Sequence, residues 1–176
     1  MKPAWYMAFR TRLPGDQDFI GGSPHIVPSD YPWPREDDEA IGFLAQFRID
    51  QRRLPVPNAT WLQLYQVVEE GDDPRPFVVV VGEKCDEPSE RRLAAHPTRE
   101  LGIDFSDATD PDVLPQSPTS DDGRYFLSKL GGTDPWDLED GVFLGQLHGA
   151  ASGLNFGGRA CGLYLQPDGS VIAVLR

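Results

Sequence analysis

One compound motif occurs twice in this chain, and a duplicated unit restricts the fold more than any single residue does. Phe19-Ile20-Gly21-Gly22-Ser23-Pro24 is followed by Trp33-Pro34 and then Phe43-Leu44-Ala45-Gln46-Phe47. Later, Lys129-Leu130-Gly131-Gly132-Thr133-Asp134-Pro135-Trp136 is followed by Phe143-Leu144-Gly145-Gln146-Leu147. The echo extends to Trp61-Leu62-Gln63-Leu64-Tyr65-Gln66 and to Gly162-Leu163-Tyr164-Leu165-Gln166. Self-similarity of this kind predicts two similar β-rich halves sharing one core. The expected organisation is a single domain over 1–176, with halves near 1–82 and 125–176 and a polar insertion or loop region at 83–124.

Local patterning adds elements to that frame. Ala4–Arg10 alternates weakly and predicts a strand, Asp16–Pro34 a Pro/Gly loop, and Ile41–Ile49 an apolar run. Leu62–Val68 and Phe77–Val81 are strands by their β-branched and aromatic content, joined by a Gly-Asp-Asp-Pro loop. Ser89 is placed to cap a short helix that runs to His96 and ends at Pro97. Residues 97–123, rich in Pro, Asp, Ser and Thr, predict a loop. Ala160–Gln166 and Val171–Leu175 flank Pro167-Asp168-Gly169-Ser170, where Pro sets φ and Gly takes φ > 0, so a hairpin is expected. The resulting class is α+β, predominantly antiparallel β.

The motif residues have a physical reading of their own. Gly-Gly permits positive φ or close passage beneath a ring, and the Pro-rich loop after it lays Trp33 or Trp136 across the end of the sheet. Gln46 and Gln146 lie inside apolar runs, where an amide is costly unless bonded. Each is expected to clamp loop backbone to the sheet through its carbonyl and its NH₂. The functional alternative has both glutamines and both tryptophans lining a groove at the junction of the halves, since aromatic anchors are enriched at interfaces.

The string Gly-Gly-Ser-Pro-His-Ile-Val-Pro, Tyr-Pro-Trp-Pro and Ile-Gly-Phe-Leu-Ala-Gln-Phe resembles the signature of the YwqG-like proteins, a bacterial family. The second copy, Lys-Leu-Gly-Gly, Trp and Phe-Leu-Gly-Gln-Leu, is also similar to the module of the eukaryotic programmed-cell-death-2 family. The resemblance covers most of the chain outside roughly 83–124. It implies a mixed, mainly β, internally duplicated domain with no catalytic residues to carry over. Where the bacterial pattern tends toward Asn-Phe-Gly-Asp, this chain has Asn155-Phe156-Gly157-Gly158.

Composition narrows the function. At 176 residues the chain is one domain of ordinary size. Its 18 Gly and 17 Pro, about a fifth of the total against an average near 12%, favour short strands and turns. No apolar run approaches the roughly 20 residues of a bilayer span, and the N-terminus lacks a signal-peptide core. Two cysteines, Cys85 and Cys161, argue for a reducing compartment, with Cys161 packed on an apolar strand. A cytoplasmic protein is expected.

Charge is the second informative feature. The net charge is −12, with acids clustered at Glu36–Glu39, Glu69–Asp73, Asp104–Asp122 and Asp134–Asp140. Nucleic-acid readers need Lys and Arg to displace phosphate counterions, so neither nucleic acid nor an acidic membrane surface is an expected partner. A negative face meeting a basic protein is, because complementary potentials raise the encounter rate.

Catalytic and metal signals are weak. His25, His96 and His148 lie far apart, and no pair has zinc-ligand spacing. Gly149–Gly153 is not a nucleophile elbow, and Gly157–Gly162 is neither a dinucleotide fingerprint nor a P-loop. No catalytic residue, metal or cofactor is assigned. The expected function is a non-catalytic, cytosolic protein-binding module, in concrete form an immunity-type inhibitor of a basic toxin. Its binding residues are expected to be Trp33, Gln46, Trp136, Gln146, Asp37, Asp38, Asp137 and Asp140. The alternatives are a chaperone-like assembly partner of a basic client, and a hydrolase or small-ligand binder using the groove between the repeats.

Overall fold

The computed structural model describes residues 1–28, 40–68, 74–82, 99–110, 127–136 and 141–176. In chain order they form β1 (Lys2–Thr11), β2 (Phe19–Ile20), β3 (Ala40–Arg48), β4 (Ala59–Val68), β5 (Arg75–Gly82), β6 (Leu101–Asp110), β7 (Lys129–Gly131), β8 (Val142–His148), α1 (Gly149–Ser152), β9 (Ala160–Leu165) and β10 (Val171–Leu175). The α+β expectation is therefore corrected. Every strand pairing is antiparallel, and among the described residues the one helix is the four-residue turn α1. The physical reason is the high frequency of Gly and Pro, which break helices, combined with β-branched and aromatic residues at period two. The expected helix at Ser89–His96 lies outside the described residues.

The strands make one sheet in the order β10-β9-β8-β7-β1-β6-β2-β3-β4-β5. It curls until its two outer strands, β10 and β5, come together, so that the sheet is a nearly closed barrel. β1 and β6 pair at the centre from Lys2↔Asp110 to Thr11↔Leu101. Each then pairs outward with the opposite repeat, β1 with β7 and β6 with β2. The repeats are thus interlocked through their first strands. Residues 101–110, expected as loop, are the first strand of the second repeat; their alternation was obscured by Asp104, Asp107 and Asp110.

Registers agree between the repeats residue for residue. Phe19 pairs with Gln46 and Ile20 with Ala45, as Lys129 pairs with Gln146 and Leu130 with Gly145. The same bulge recurs, with the register shifting between Phe43 and Ala45 and between Phe143 and Gly145. A bulge bends its strand and tightens the twist, which here helps the sheet curl closed.

Alternation along the strands sorts side chains into an interior and an outer layer. Leu62, Leu64 and Val78 enter the barrel core with Ile20, Leu44, Phe47, Leu130, Leu144, Leu147, Phe156, Cys161 and Leu163. Tyr65, Val79 and Val81 face outward and join Phe19, Ile41 and Phe43 in a second buried cluster, with Ile26, Trp61 and Phe77 packed against it. Full burial of such a side chain contributes about 1.5–3 kcal/mol, so both faces of this half of the sheet drive folding. The β9–β10 hairpin closes as expected: Gln166 N–H donates to Ser170 O at 2.8 Å, and Gly169 takes φ 86°.

Candidate functional site

The Gly-Gly turns and the glutamines form one device, present in both repeats. Gly21 and Gly22 have φ of 72°, and Gly131 and Gly132 have 64° and 80°, a region L side chains avoid. Each turn follows a short strand, and the glutamine on the neighbouring strand secures the segment before that turn. Gln46 Nε2 donates to Gln17 O at 3.4 Å, and Gln146 Nε2 donates to Leu127 O, at the matching position, at 2.8 Å. Gln46 Oε1 also accepts from His25 N–H at 3.1 Å and from Gln63 Nε2 at 3.0 Å, while Gln63 donates again to Ile26 O at 2.8 Å. Both Gln46 and Gln146 are fully buried. A neighbouring bond is duplicated too: Arg48 N–H donates to Asp18 Oδ1 at 2.8 Å, and His148 N–H to Ser128 Oγ at 2.9 Å.

Under each turn the repeats diverge. The second holds a sealed charge network: Lys129 Nζ bonds Asp110 Oδ2 and, at 3.2 Å, Thr133 O, while the Tyr6 hydroxyl and Thr133 N–H both donate to Asp110. Lys129 and Asp110 are both buried. Burial pushes the Asp110 carboxyl upward, but hydrogen bonds from Lys129, Tyr6 and Thr133 N–H together outweigh it and hold the group below the usual carboxylate range.

In the first repeat Phe19 stands where Lys129 does, and the space beside it is an open cleft of about 460 Å³. It is lined by Arg12, Leu13, Pro14, Gly15, Asp16, Ser23, His25 and Glu100. The Arg12 guanidinium lies 3.5 Å from the Phe19 ring centroid, and its Nη1 reaches Glu100 Oε2 at 3.5 Å. Asp16 is gripped in bidentate fashion by Arg10 at 2.8 Å on both oxygens, and that hydrogen bond, with the one from Leu13 N–H, lowers its carboxyl to about 2. His25 stacks on Trp61 with rings 3° from parallel and sets Nε2 3.2 Å from Asp16 O.

Of the sequence-derived binding residues, Gln46 and Gln146 are interior clamps. Trp136 packs edge-on to Phe143 at 6.5 Å, while its backbone N–H donates to Asp134 Oδ1, which also accepts from the Tyr164 hydroxyl at 3.1 Å. Trp33, Asp37, Asp38, Asp137 and Asp140 lie outside the described residues, as do Cys85 and His96. Cys161 is buried on β9, and burial pushes its thiol up to about 12. Arg12, Ser23, Glu100 and the Lys129–Asp110 pair were not singled out from sequence. One signal was readable: a lysine at a motif position that is phenylalanine in the other copy implies a buried acidic partner. Among the described residues no group of three or more His, Cys, Asp or Glu could hold a metal, and no helix is long and apolar enough to cross a membrane.

Fold and site together define a class: an interlocked, internally duplicated antiparallel barrel with one Gly-Gly turn sealed by an ion pair and the other opening on a polar cleft. Neither the family models nor the curated proteins compared with the chain match it.

Proposed function

We propose that this protein is a non-catalytic binding module that acts in the cytoplasm by occupying a basic protein partner, in its most concrete form as an immunity-type inhibitor of a basic toxin. The observation that carries the reading is the charge: −12 on a single compact sheet. Several cations add little positive surface of their own, since Lys129 is buried against Asp110 and Arg10, Arg12 and Arg53 each sit beside carboxylates. Such a field steers a basic partner into encounter. The resemblance to YwqG-like proteins belongs to the same proposal.

The test begins with affinity purification from the native host, followed by association kinetics with the recovered partner. Asp37, Asp38, Asp137 and Asp140 flank the two motif copies, so replacing all four by Asn is expected to slow association about tenfold at low ionic strength. The effect shrinks once the Debye length falls to about 8 Å at physiological salt, and dissociation changes little. Association indifferent to salt and to the four substitutions defeats the reading.

A further inference from the structure

The two repeats treat one place in opposite ways, and the sealed copy indicates what the open copy accepts. In the second repeat the N–H that follows the Gly-Gly pair, on Thr133, donates to the Asp110 carboxylate at 3.1 Å, and Lys129 supplies the cation. The matching N–H in the first repeat belongs to Ser23, which lines the cleft and has no hydrogen-bond partner among the described residues. Trp5 pairs with Leu130 as Leu101 pairs with Ile20, which equates β1 with β6. But β1 ends at Thr11, short of the place of Asp110, and the next carboxylate, Asp16, is taken by Arg10.

The cation is nevertheless present. Arg12 is 22% exposed, rests on Phe19, and makes one long contact, to Glu100. Glu100 is itself 60% exposed. Its carboxyl carbon lies 2.8 Å from where a β-carbon on Gly22 would stand, just as the Asp110 carboxylate crowds Gly132. A loosely held carboxylate from the chain itself therefore leans into the position that Asp110 fills permanently in the other repeat.

We propose that the cleft at Arg12, Ser23 and His25 binds the carboxylate of an external ligand, which displaces Glu100 from Arg12. A planar guanidinium with most of its N–H groups uncommitted offers the fork geometry that carboxylates take. The Ser23 N–H supplies the second donor, in the role of Thr133 N–H. The cleft leaves room beyond the carboxylate for the body of a small organic acid or for the end of a peptide chain. This inference is independent of the basic-partner reading: titration with an acid needs no protein partner, so either can fail alone.

The test is titration of the ¹⁵N-labelled protein with N-acetylalanine and, separately, with N-acetylalaninamide, following the Ser23 and His25 amides. The acid is expected to move both in a saturable manner and the amide to move neither. Arg12→Gln weakens binding about tenfold or more, the loss of a charge-assisted hydrogen bond. Glu100→Gln removes the internal competitor and tightens it severalfold. Asp104→Asn, which removes an equally exposed charge at 61% exposure on β6, changes it by less than about twofold. A short peptide with a free C-terminal carboxylate separates the sources: tighter binding than N-acetylalanine identifies a chain end, equal binding a small acid. No saturable shift, equal responses to acid and amide, or equal tightening by Asp104→Asn and Glu100→Gln overturns the proposal.

Discussion

Lys129→Met leaves the Asp110 carboxylate buried with only two neutral donors, the Tyr6 hydroxyl and the Thr133 N–H. Breaking a buried pair by removing one partner costs about 3–5 kcal/mol. With a urea slope near 2 kcal/mol per M, the midpoint at pH 7 drops by about 2 M. Asp110→Asn strands the Lys129 ammonium, which keeps Thr133 O, and is expected to cost a similar amount. The double variant Lys129→Met/Asp110→Asn retains a neutral side chain facing Tyr6 and Thr133. Its cost is therefore well below the sum of the two singles, the signature of direct coupling.

The pH dependence has a definite sign. In the parent, the Asp110 carboxyl is held below its unfolded value. Its contribution is present above the unfolded pKa near 4 and is lost as pH falls through the folded one. In Lys129→Met burial acts unopposed by the cation and raises the same carboxyl. Its stabilising contribution then belongs to low pH and disappears as pH rises. The gap between parent and variant is accordingly widest at pH 7 and narrows toward pH 4. A cost under about 1 kcal/mol at pH 7, or one equal at pH 4 and pH 7, refutes an ionised buried pair.

Gln46→Leu and Gln146→Leu should each cost about 1–3 kcal/mol, the penalty for buried groups left unbonded, whereas Asp104→Asn on the exposed face stays within roughly 0.5 kcal/mol; urea midpoints decide between them. Cys161, fully buried with its thiol pushed up to about 12, should resist maleimide labelling in buffer and react in urea, read by peptide mass spectrometry. Rapid native labelling of Cys161 would show that β9 opens.

The duplicated motif was legible in the chain because a Gly-Gly turn, a bulge and a glutamine clamp each admit few residue types. The hairpin at Pro167–Ser170 was legible because its turn chemistry is local. The clamp role of Gln46 and Gln146 also followed from sequence, since an amide in an apolar run needs a partner wherever the chain folds. β6 was not legible: Asp104, Asp107 and Asp110 break its apolar alternation, and their places are set by β1 and β7, which lie far off in sequence. Nor was the all-β class, because the weight of a short capped segment against ten strands depends on how the strands pair. Tertiary structure alone decided that the first strands of the repeats exchange partners across the centre of the sheet. It alone decided that Lys129 meets Asp110 across β1, and that Arg12 and Glu100 face each other beside Gly22. Local sequence sets what a residue requires, a hydrogen bond, an apolar neighbour or a counter-charge. Which distant residue meets that requirement is set by the register of strands that come together only when the barrel closes.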